Sequence, residues 1–319
     1  MTLRRSEQVD LASTRYYHCM PRCVRRAFLC GEDPVSGGSY SHRKKWIQSR
    51  LHRLSRVFAI DICAYAVMSN HLHVVVRVDP ERAAAWTDDE VVRRYSALYR
   101  MAKTTYDELP RREQITRRKR WRARLASLSW FMRALNENIA RRANREEGVR
   151  GRFWEGRFRS QPLLDEQGLL MCMAYVDLNP VRAGLCDSLE DSSFTSIEER
   201  LEDLARKRSQ RRRQSAPDTL AAFEGQGDGE REELPIDFAG YVELLNWAGE
   251  SIRDGKGRLR GKTPRLLEAV NAETWLRALS AQQIASVAWL GSADDLDRVA
   301  DELGQRWCRG VRLARALQR

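Results

Sequence analysis

The stretch VFAIDICAYAVMSNHLHVVVRV, residues 57–78, contains two apolar runs that are rich in β-branched residues. Ser69 and Asn70 separate the two runs, and a two-residue break of this kind is typical of a hairpin turn. The stretch therefore predicts a β-hairpin. On its second strand, residues two apart face the same side of the sheet. His71 and His73 are thus expected to share one face, whereas the alternate apolar residues point into the core.

The segments around this hairpin alternate between strand-like and helix-like patterns. The predicted elements, in chain order, are a strand over 16–29, a helix over 41–54, the hairpin, helices over 84–106 and 128–139, a strand over 150–163 and a helix over 165–178. Pro180 has to end the last helix, because proline lacks the amide donor. This order predicts an α+β fold in which helices cover one antiparallel sheet.

Composition divides the chain of 319 residues into three parts. Residues 1–200 hold the strand and helix patterns. Residues 201–236 are charged, rich in Gly and Gln and without periodicity, so they predict a flexible linker. Residues 237–319 regain helical spacing with no strand signal and predict a small all-helical C-terminal domain, to which the sequence assigns no role. The seven cysteines are odd in number and irregularly spaced, which favours buried thiols over disulfides or a zinc site.

The charge is unevenly distributed. The formal net charge is +12; residues 1–160 hold 34 Lys and Arg against 17 Asp and Glu, and residues 161–319 hold 22 against 27. A basic first half predicts binding to a polyanion, with nucleic acid as the leading class. No run approaches the ~18 apolar residues of a membrane span, and the start of the chain lacks a signal-peptide pattern. We therefore expect a cytoplasmic protein, associated with the nucleoid and without a membrane partner.

Two pairs of residues suggest chemistry. His71 and His73 are half of a metal site, or two surface histidines on an edge strand, since two ligands alone bind metal poorly. Tyr175 and Asn179 lie four apart on one helix face; taken alone, they read as a packing residue and a capping residue. Together, the four residues suggest a hard cation that polarises a phosphate beside a phenol. An attack by the phenol would leave a phosphotyrosine, as in a DNA transesterase.

Three segments then carry a family resemblance: AYAVMSNHLHVVV (64–76), GRFWEGRF (151–158) and YVDLNPVRAGL (175–185). In this order they resemble the HUH single-strand transposases, and among these the REP-associated tyrosine transposases, over about residues 14–200. The resemblance implies a ferredoxin-like α+β fold, a substrate of single-stranded DNA with hairpin (REP-like) repeats, and a 5′-phosphotyrosine intermediate. It also implies Tyr175 as the catalytic nucleophile and His71, His73 and Asn179 as ligands of Mg²⁺ or Mn²⁺. Asp177 is left between tuning the metal and simple solvation.

Basic side chains interleaved with aromatic rings suit a single strand, because phosphates need neutralising and unstacked bases need a surface. The residues expected to bind DNA are Arg111, Arg112, Arg117, Arg118, Lys119, Arg120, Trp121, Arg122, Arg150, Arg152, Trp154 and Arg157. For the 111–124 run, the alternative is an exposed connector. For Trp154, core packing is an equal alternative.

Three functions remain open at this point. The leading hypothesis is a metal-dependent endonuclease and strand transferase, that is, a transposase. The second is a domesticated DNA-hairpin-binding protein that has kept the fold without catalysis; the presence of all four site residues argues against it. A replication initiator of the HUH type is the third, disfavoured because nothing in the chain resembles a helicase. A monomer and a homodimer are both compatible with the sequence.

Overall fold

The computed structural model describes residues 9–24, 29–32, 37–99, 106–209, 219–253, 261–280 and 283–318. Its sheet has four strands, β1 (Tyr16–Met20), β2 (Ile60–Val67), β3 (Leu72–Val78) and β4 (Arg159–Leu163). The order across the sheet is β2-β3-β1-β4, and every neighbouring pair is antiparallel. β2 and β3 form the expected hairpin. β3 is an interior strand, which excludes the edge-strand alternative for its histidine.

Helices surround this sheet. In chain order they are α1 (Arg43–Val57), α2 (Pro80–Ala85), α3 (Asp88–Tyr99), α4 (Arg111–Leu125), α5 (Leu128–Glu146), α6 (Glu166–Asp177), α7 (Asn179–Arg182), α8 (Ser196–Ser209), α9 (Phe238–Arg253), α10 (Ala272–Ser280), α11 (Gln283–Ser286), α12 (Ala293–Glu302) and α13 (Val311–Leu317). Helices lie between β1 and β2 and between β3 and β4, so the strands and helices up to β4 follow the β-α-β-β-α-β ferredoxin-like order. The α+β prediction is confirmed.

The two faces of the sheet are both buried, because strand residues alternate between two cores. On one face, Tyr17, Cys19 and Val74 pack with α1 and with Phe131 of α5. On the other face, Val75 packs with α6 and with the C-terminal helices. Burying a large apolar side chain contributes about 1.5–3 kcal/mol, so these two layers hold the sheet between them. The second layer is the one that contains the candidate site.

Several element boundaries differ from the prediction. The first strand ends at Met20, after which isolated bridges join Arg22 to His71 and Cys23 to Trp154; residues 25–28 lie outside the described part. In the described part of the helix expected over 84–106, the structure has two helices, α2, which begins at Pro80 after the capping residue Asp79, and α3. Residues 100–105 lie outside the described part. The basic run 111–124, for which an exposed connector was the alternative to DNA binding, forms helix α4. A turn follows α6, and Pro180 then lies in the first turn of α7, where its missing amide donor costs nothing.

Part of the predicted linker is packed into the fold. Within residues 219–236, Ala221 and Phe223 are buried in the core that contains α6 and the C-terminal helices. Arg200 of α8 donates hydrogen bonds to the carbonyls of Cys63 and Ala221, which ties this segment to β2. Residues 201–209, which were also predicted as linker, belong to helix α8. Residues 210–218 lie outside the described residues. Composition wrongly predicted a flexible segment here, because a few buried apolar residues are enough to anchor an otherwise charged stretch.

The described part of residues 237–319 is helical, as expected, but it shares one core with α6. All seven cysteines are present as thiols and not as disulfides, and six of them are buried. Among the described helices, none is both long and apolar enough to cross a bilayer.

Candidate active site

Three imidazole rings meet on the side of the sheet that α6 covers. β1 carries His18, β3 carries His73, and His71 directly precedes β3. The ring centroids of His71 and His73 are 4.7 Å apart, and those of His18 and His73 are 5.0 Å apart. His18 and His73 are buried, whereas His71 is half-buried. The structure thus brings the predicted pair together and adds a third histidine from the neighbouring strand.

A hydrogen-bond chain runs across the strands from β4 to β3. Gln161 Oε1 lies 2.9 Å from His18 Nδ1, and His18 Nε2 lies 2.8 Å from His73 Nδ1. The register explains this chain, because β1 pairs His18 directly with Gln161 on one side and with Val75 on the other. His73 Nε2 is buried and has no hydrogen-bond partner among the described residues.

Helix α6 brings Tyr175 onto these rings. The helix begins where Asp165 accepts a hydrogen bond from the Gly168 amide at 2.7 Å, an N-cap that satisfies an otherwise unpaired donor. The ring centroid of Tyr175 lies 5.5 Å from that of His73 and 6.2 Å from that of His18, both edge to face. Tyr175 is only 3% exposed. The phenol and the imidazoles therefore converge, but in a closed arrangement.

Asn179 and Arg182 complete the cluster from α7. Asn179 is buried, and its Oδ1 accepts a hydrogen bond of 3.0 Å from Arg182 Nη2. The guanidinium carbon of Arg182 lies 5.1 Å from the centroid of the Tyr175 ring. Arg182 is half-buried, as is His71, so these two side chains form the solvent-facing edge of the cluster.

Burial controls the protonation of the site. It lowers the pKa of His71 to about 4, with a further contribution from nearby arginines. It also lowers the pKa of His18 to about 4 and that of His73 well below its usual value. All three rings are therefore neutral at pH 7, the state in which imidazole binds metal. Burial raises the pKa of the Tyr175 hydroxyl, and the positive charge of Arg182 opposes that rise.

The site offers suitable nitrogen donors for a divalent cation. His73 Nε2 lacks a partner and lies on a ring held from behind by His18, which is how metal-binding imidazoles are usually oriented. The amide oxygen of Asn179 accepts one hydrogen bond from Arg182 and has a second lone pair, so this bond does not by itself prevent the oxygen from binding a cation. In the part of the chain that the structure describes, no three His, Cys, Asp or Glu side chains are grouped to hold a metal.

Asp177 plays neither of the two roles considered from the sequence. It is buried, and its Oδ1 accepts hydrogen bonds from the Ser196 hydroxyl at 2.5 Å and the Ile197 amide at 3.1 Å. Its Oδ2 accepts a hydrogen bond of 2.7 Å from the Tyr241 hydroxyl. Asp177 therefore ties α6 to α8 and α9 rather than tuning a metal or facing water.

The basic run 111–124 is only partly available to DNA. Trp121 is buried and stacks on Tyr95 at 4.5 Å between centroids, so its expected contact with a base is wrong. Arg118 and Arg122 both pair with Asp88. Arg117 pairs with Glu113 along the same helix. The four remaining basic residues predicted here are exposed: Arg111, Arg112, Lys119 and Arg120.

The loop over 150–157 lies next to the histidines. Residues 22–24 pair with His71 and Trp154, and the Glu155 amide donates to the Arg22 carbonyl at 2.9 Å. Trp154 is half-buried, and its Nε1 donates to the Asn136 carbonyl at 2.9 Å, so its ring serves mainly in packing. The predicted arginines of this loop are all exposed: Arg150, Arg152 and Arg157.

No protein-family model matches the sequence, and no curated protein does. One solved structure is similar, that of a REP-associated tyrosine transposase bound to a REP hairpin. The similarity is distant. It amounts to 12% sequence identity and a TM-score of 0.38, over 63% of this chain and 86% of the transposase chain.

Sequence reasoning missed three residues of this cluster, namely His18, Gln161 and Arg182. His18 alternates with the apolar Tyr17 on the predicted first strand, which was a signal for a polar residue on the opposite face. Gln161 gave no signal. Arg182 lies three residues after Asn179, so a helical continuation beyond Pro180 would have placed the two side chains together.

Proposed function

We propose that this chain cleaves and rejoins single-stranded DNA at hairpin-containing repeats, through a covalent bond between Tyr175 and a 5′-phosphate. The observation that carries the proposal is the convergence of Tyr175 on His73, whose buried Nε2 has no partner among the described residues. The hairpin substrate comes from the resemblance of the three sequence segments. The solved transposase carries a REP hairpin, but its likeness is too distant to add weight.

The residues of the cluster take distinct roles in this proposal. His71, His73 and Asn179 would hold Mg²⁺ or Mn²⁺, which supplies the polarisation of the scissile phosphate. Arg182 stabilises the Tyr175 phenolate by its charge and, being half-buried, is within reach of an incoming phosphate. The Tyr175 oxygen bonds to phosphorus as the phenolic proton passes to water. The bond from phosphorus to the 3′ oxygen breaks, and that oxygen takes up a proton to become a 3′-OH.

The DNA strand is proposed to approach along the exposed arginines of the 150–157 loop, because this loop is joined through residues 22–24 to His71. Arg152 and Arg157 carry no acidic partner within hydrogen-bonding reach among the described residues, so they are available to phosphates. The exposed basic residues of α4 supply a second stretch of positive charge. Both stretches act through charge, since their tryptophans pack into the protein.

One observation favours a second candidate, a hairpin-binding protein without catalysis. Tyr175 is only 3% exposed, and burial raises the pKa of its hydroxyl. A DNA strand can therefore reach it only if the solvent-facing edge of the cluster, formed by His71 and Arg182, moves away. A protein that retained the fold for binding would not need that opening. The two candidates differ in a single product, the covalent adduct.

The test is to incubate an end-labelled single-stranded oligonucleotide carrying a hairpin with the full chain and Mn²⁺, and to look for a denaturant-resistant protein–DNA adduct. We expect the adduct with the wild type and with Tyr99→Phe, a matched change of an exposed tyrosine, and not with Tyr175→Phe. Hairpin binding by the wild type without any adduct would establish the second candidate. An adduct that persists in Tyr175→Phe would show that the nucleophile is another residue.

A further inference from the structure

The side chain of Gln161 links the C-terminal helices to the histidine cluster. Its Nε2 donates hydrogen bonds to the main-chain carbonyls of Ile284 at 2.8 Å and Val287 at 2.9 Å, at α11. Carbonyl oxygens only accept hydrogen bonds, so the end of the amide that faces them must be the NH₂ group. The amide is therefore locked in one orientation, with Oε1 directed at His18.

This orientation determines which nitrogen of His18 carries a proton. Gln161 Oε1 can only accept, and it lies 2.9 Å from His18 Nδ1, so Nδ1 must be the N–H. The opposite tautomer would set two lone pairs against each other in a fully buried place. His18 is 0% exposed, and burial disfavours its cationic form. A neutral ring with a proton on Nδ1 has a bare Nε2.

The proton position on His73 is fixed by His18 in the same way. His18 Nε2, being bare, can only accept, and it lies 2.8 Å from His73 Nδ1. His73 therefore carries its proton on Nδ1. Its Nε2 is left as a lone pair, and this is the buried atom that has no partner among the described residues.

We propose that the carbonyls of Ile284 and Val287 set the tautomer of His73 through Gln161 and His18, and so keep His73 Nε2 unprotonated. Gln161 and His18 are positioning residues in this scheme, and α11 of the C-terminal helices is the element that orients them. The tautomer assignment follows from donor and acceptor counting on buried, neutral rings. Only its purpose, a nitrogen ready for a divalent cation, rests on the proposed function.

The test reads the ring nitrogens directly, by ¹⁵N NMR of the metal-free full chain with labelled histidine. The chain has five histidines, so assignment by single substitutions is practical. In the wild type we expect a proton on Nδ1 and none on Nε2 for both His18 and His73. In Gln161→Leu we expect both rings to become tautomer mixtures. Gln48→Leu, the same change at a glutamine that donates to the Tyr65 hydroxyl, should leave both unchanged.

The wild-type spectrum alone can overturn the proposal, so it stays testable if Gln161→Leu does not fold. We call the chain of hydrogen bonds from Gln161 through His18 to His73 the relay. A proton on His73 Nε2 would contradict it. So would a one-bond N–H coupling on His18 Nε2 rather than on His73 Nδ1. So would a folded Gln161→Leu whose His73 tautomer is unchanged.

A second readout connects the relay to metal. In a tautomer mixture, only the fraction of His73 with an unprotonated Nε2 can bind a cation, so the apparent affinity falls by the inverse of that fraction. We expect Mn²⁺ binding, measured by calorimetry without DNA, to weaken in Gln161→Leu by about twofold for an equal mixture of tautomers, and to stay unchanged in Gln48→Leu. Wild-type protein with the expected tautomers but no DNA adduct would overturn the proposed function and leave the relay standing. A DNA adduct formed by protein whose His73 is protonated on Nε2 would overturn the tautomer proposal and leave the proposed function standing.

Discussion

Replacing Asp177 by Asn should remove a pH dependence from the stability of the protein. The carboxyl is completely buried, and burial raises its pKa from 3.8 to about 6, against the opposing hydrogen bonds from Ser196, Tyr241 and Ile197. Because the folded-state pKa lies above the unfolded-state value, the group stabilises the folded protein when it is protonated. That stabilisation is complete below pH 3.8 and is lost as the pH rises through about 6.

The size of the effect follows from the two pKa values. One pH unit between them corresponds to 1.36 kcal/mol, so the interval from 3.8 to about 6 is worth about 3 kcal/mol. Roughly 2 kcal/mol of this falls between pH 4 and pH 7. Asn at this position can accept the bonds from Ser196 and Ile197 through its oxygen and donate to the Tyr241 hydroxyl through its nitrogen, with no charge to bury.

The assay is urea unfolding followed by circular dichroism at pH 4 and pH 7, for the wild type, Asp177→Asn and a control, Asp107→Asn, at an exposed position. Other carboxyl groups titrate alike in each protein and cancel in the difference. Between pH 4 and pH 7, we expect the free energy of unfolding of Asp177→Asn to rise by roughly 2 kcal/mol relative to that of the wild type, because only the wild type has to ionise this buried carboxyl. A change below about 0.5 kcal/mol, the usual range of surface substitutions, would refute the reasoning.

Two further predictions concern the packed linker and the DNA path. Phe223 is fully buried, so Phe223→Ala should lower the free energy of unfolding by about 3–5 kcal/mol, whereas a flexible linker would give no measurable change in urea unfolding. Arg152→Ala combined with Arg157→Ala should reduce the slope of log affinity against log salt for a single strand by about 1.4, since each lost phosphate contact removes about 0.7; an unchanged slope in a titration would exclude that path.

The sequence predicted local structure correctly where one face of a strand or helix is buried, because burial of one face sets the spacing of the apolar residues. The hairpin over 57–78 and the shared face of His71 and His73 follow from the two-residue period of a strand, which does not depend on the rest of the chain. The α+β class followed from the order of such elements. The metal role of the histidines and the nucleophilic role of Tyr175 stay predictions.

The errors came from residues whose surroundings are distant in sequence. Trp121 lies in a basic run that looks like a DNA-binding surface, yet α3 supplies a tyrosine on which its ring stacks. Ala221 and Phe223 lie in a charged stretch, yet the other elements leave an apolar surface that they cover. Asp177 was left between tuning a metal and facing solvent, but α8 and α9 bring three hydrogen-bond donors to it. Composition describes the average polarity of a segment, whereas each side chain is buried or exposed individually.

By itself, the sequence determined which side chains share a face, because the backbone repeats every two residues in a strand and every 3.6 in a helix. Only the tertiary structure decided which faces meet. The strand order places His18 between Gln161 and His73, which are 88 positions apart, and α11 then reaches Gln161 from more than a hundred residues further along. Contacts of this kind depend on how all the layers pack together, so the local periodicity of the sequence does not predict them.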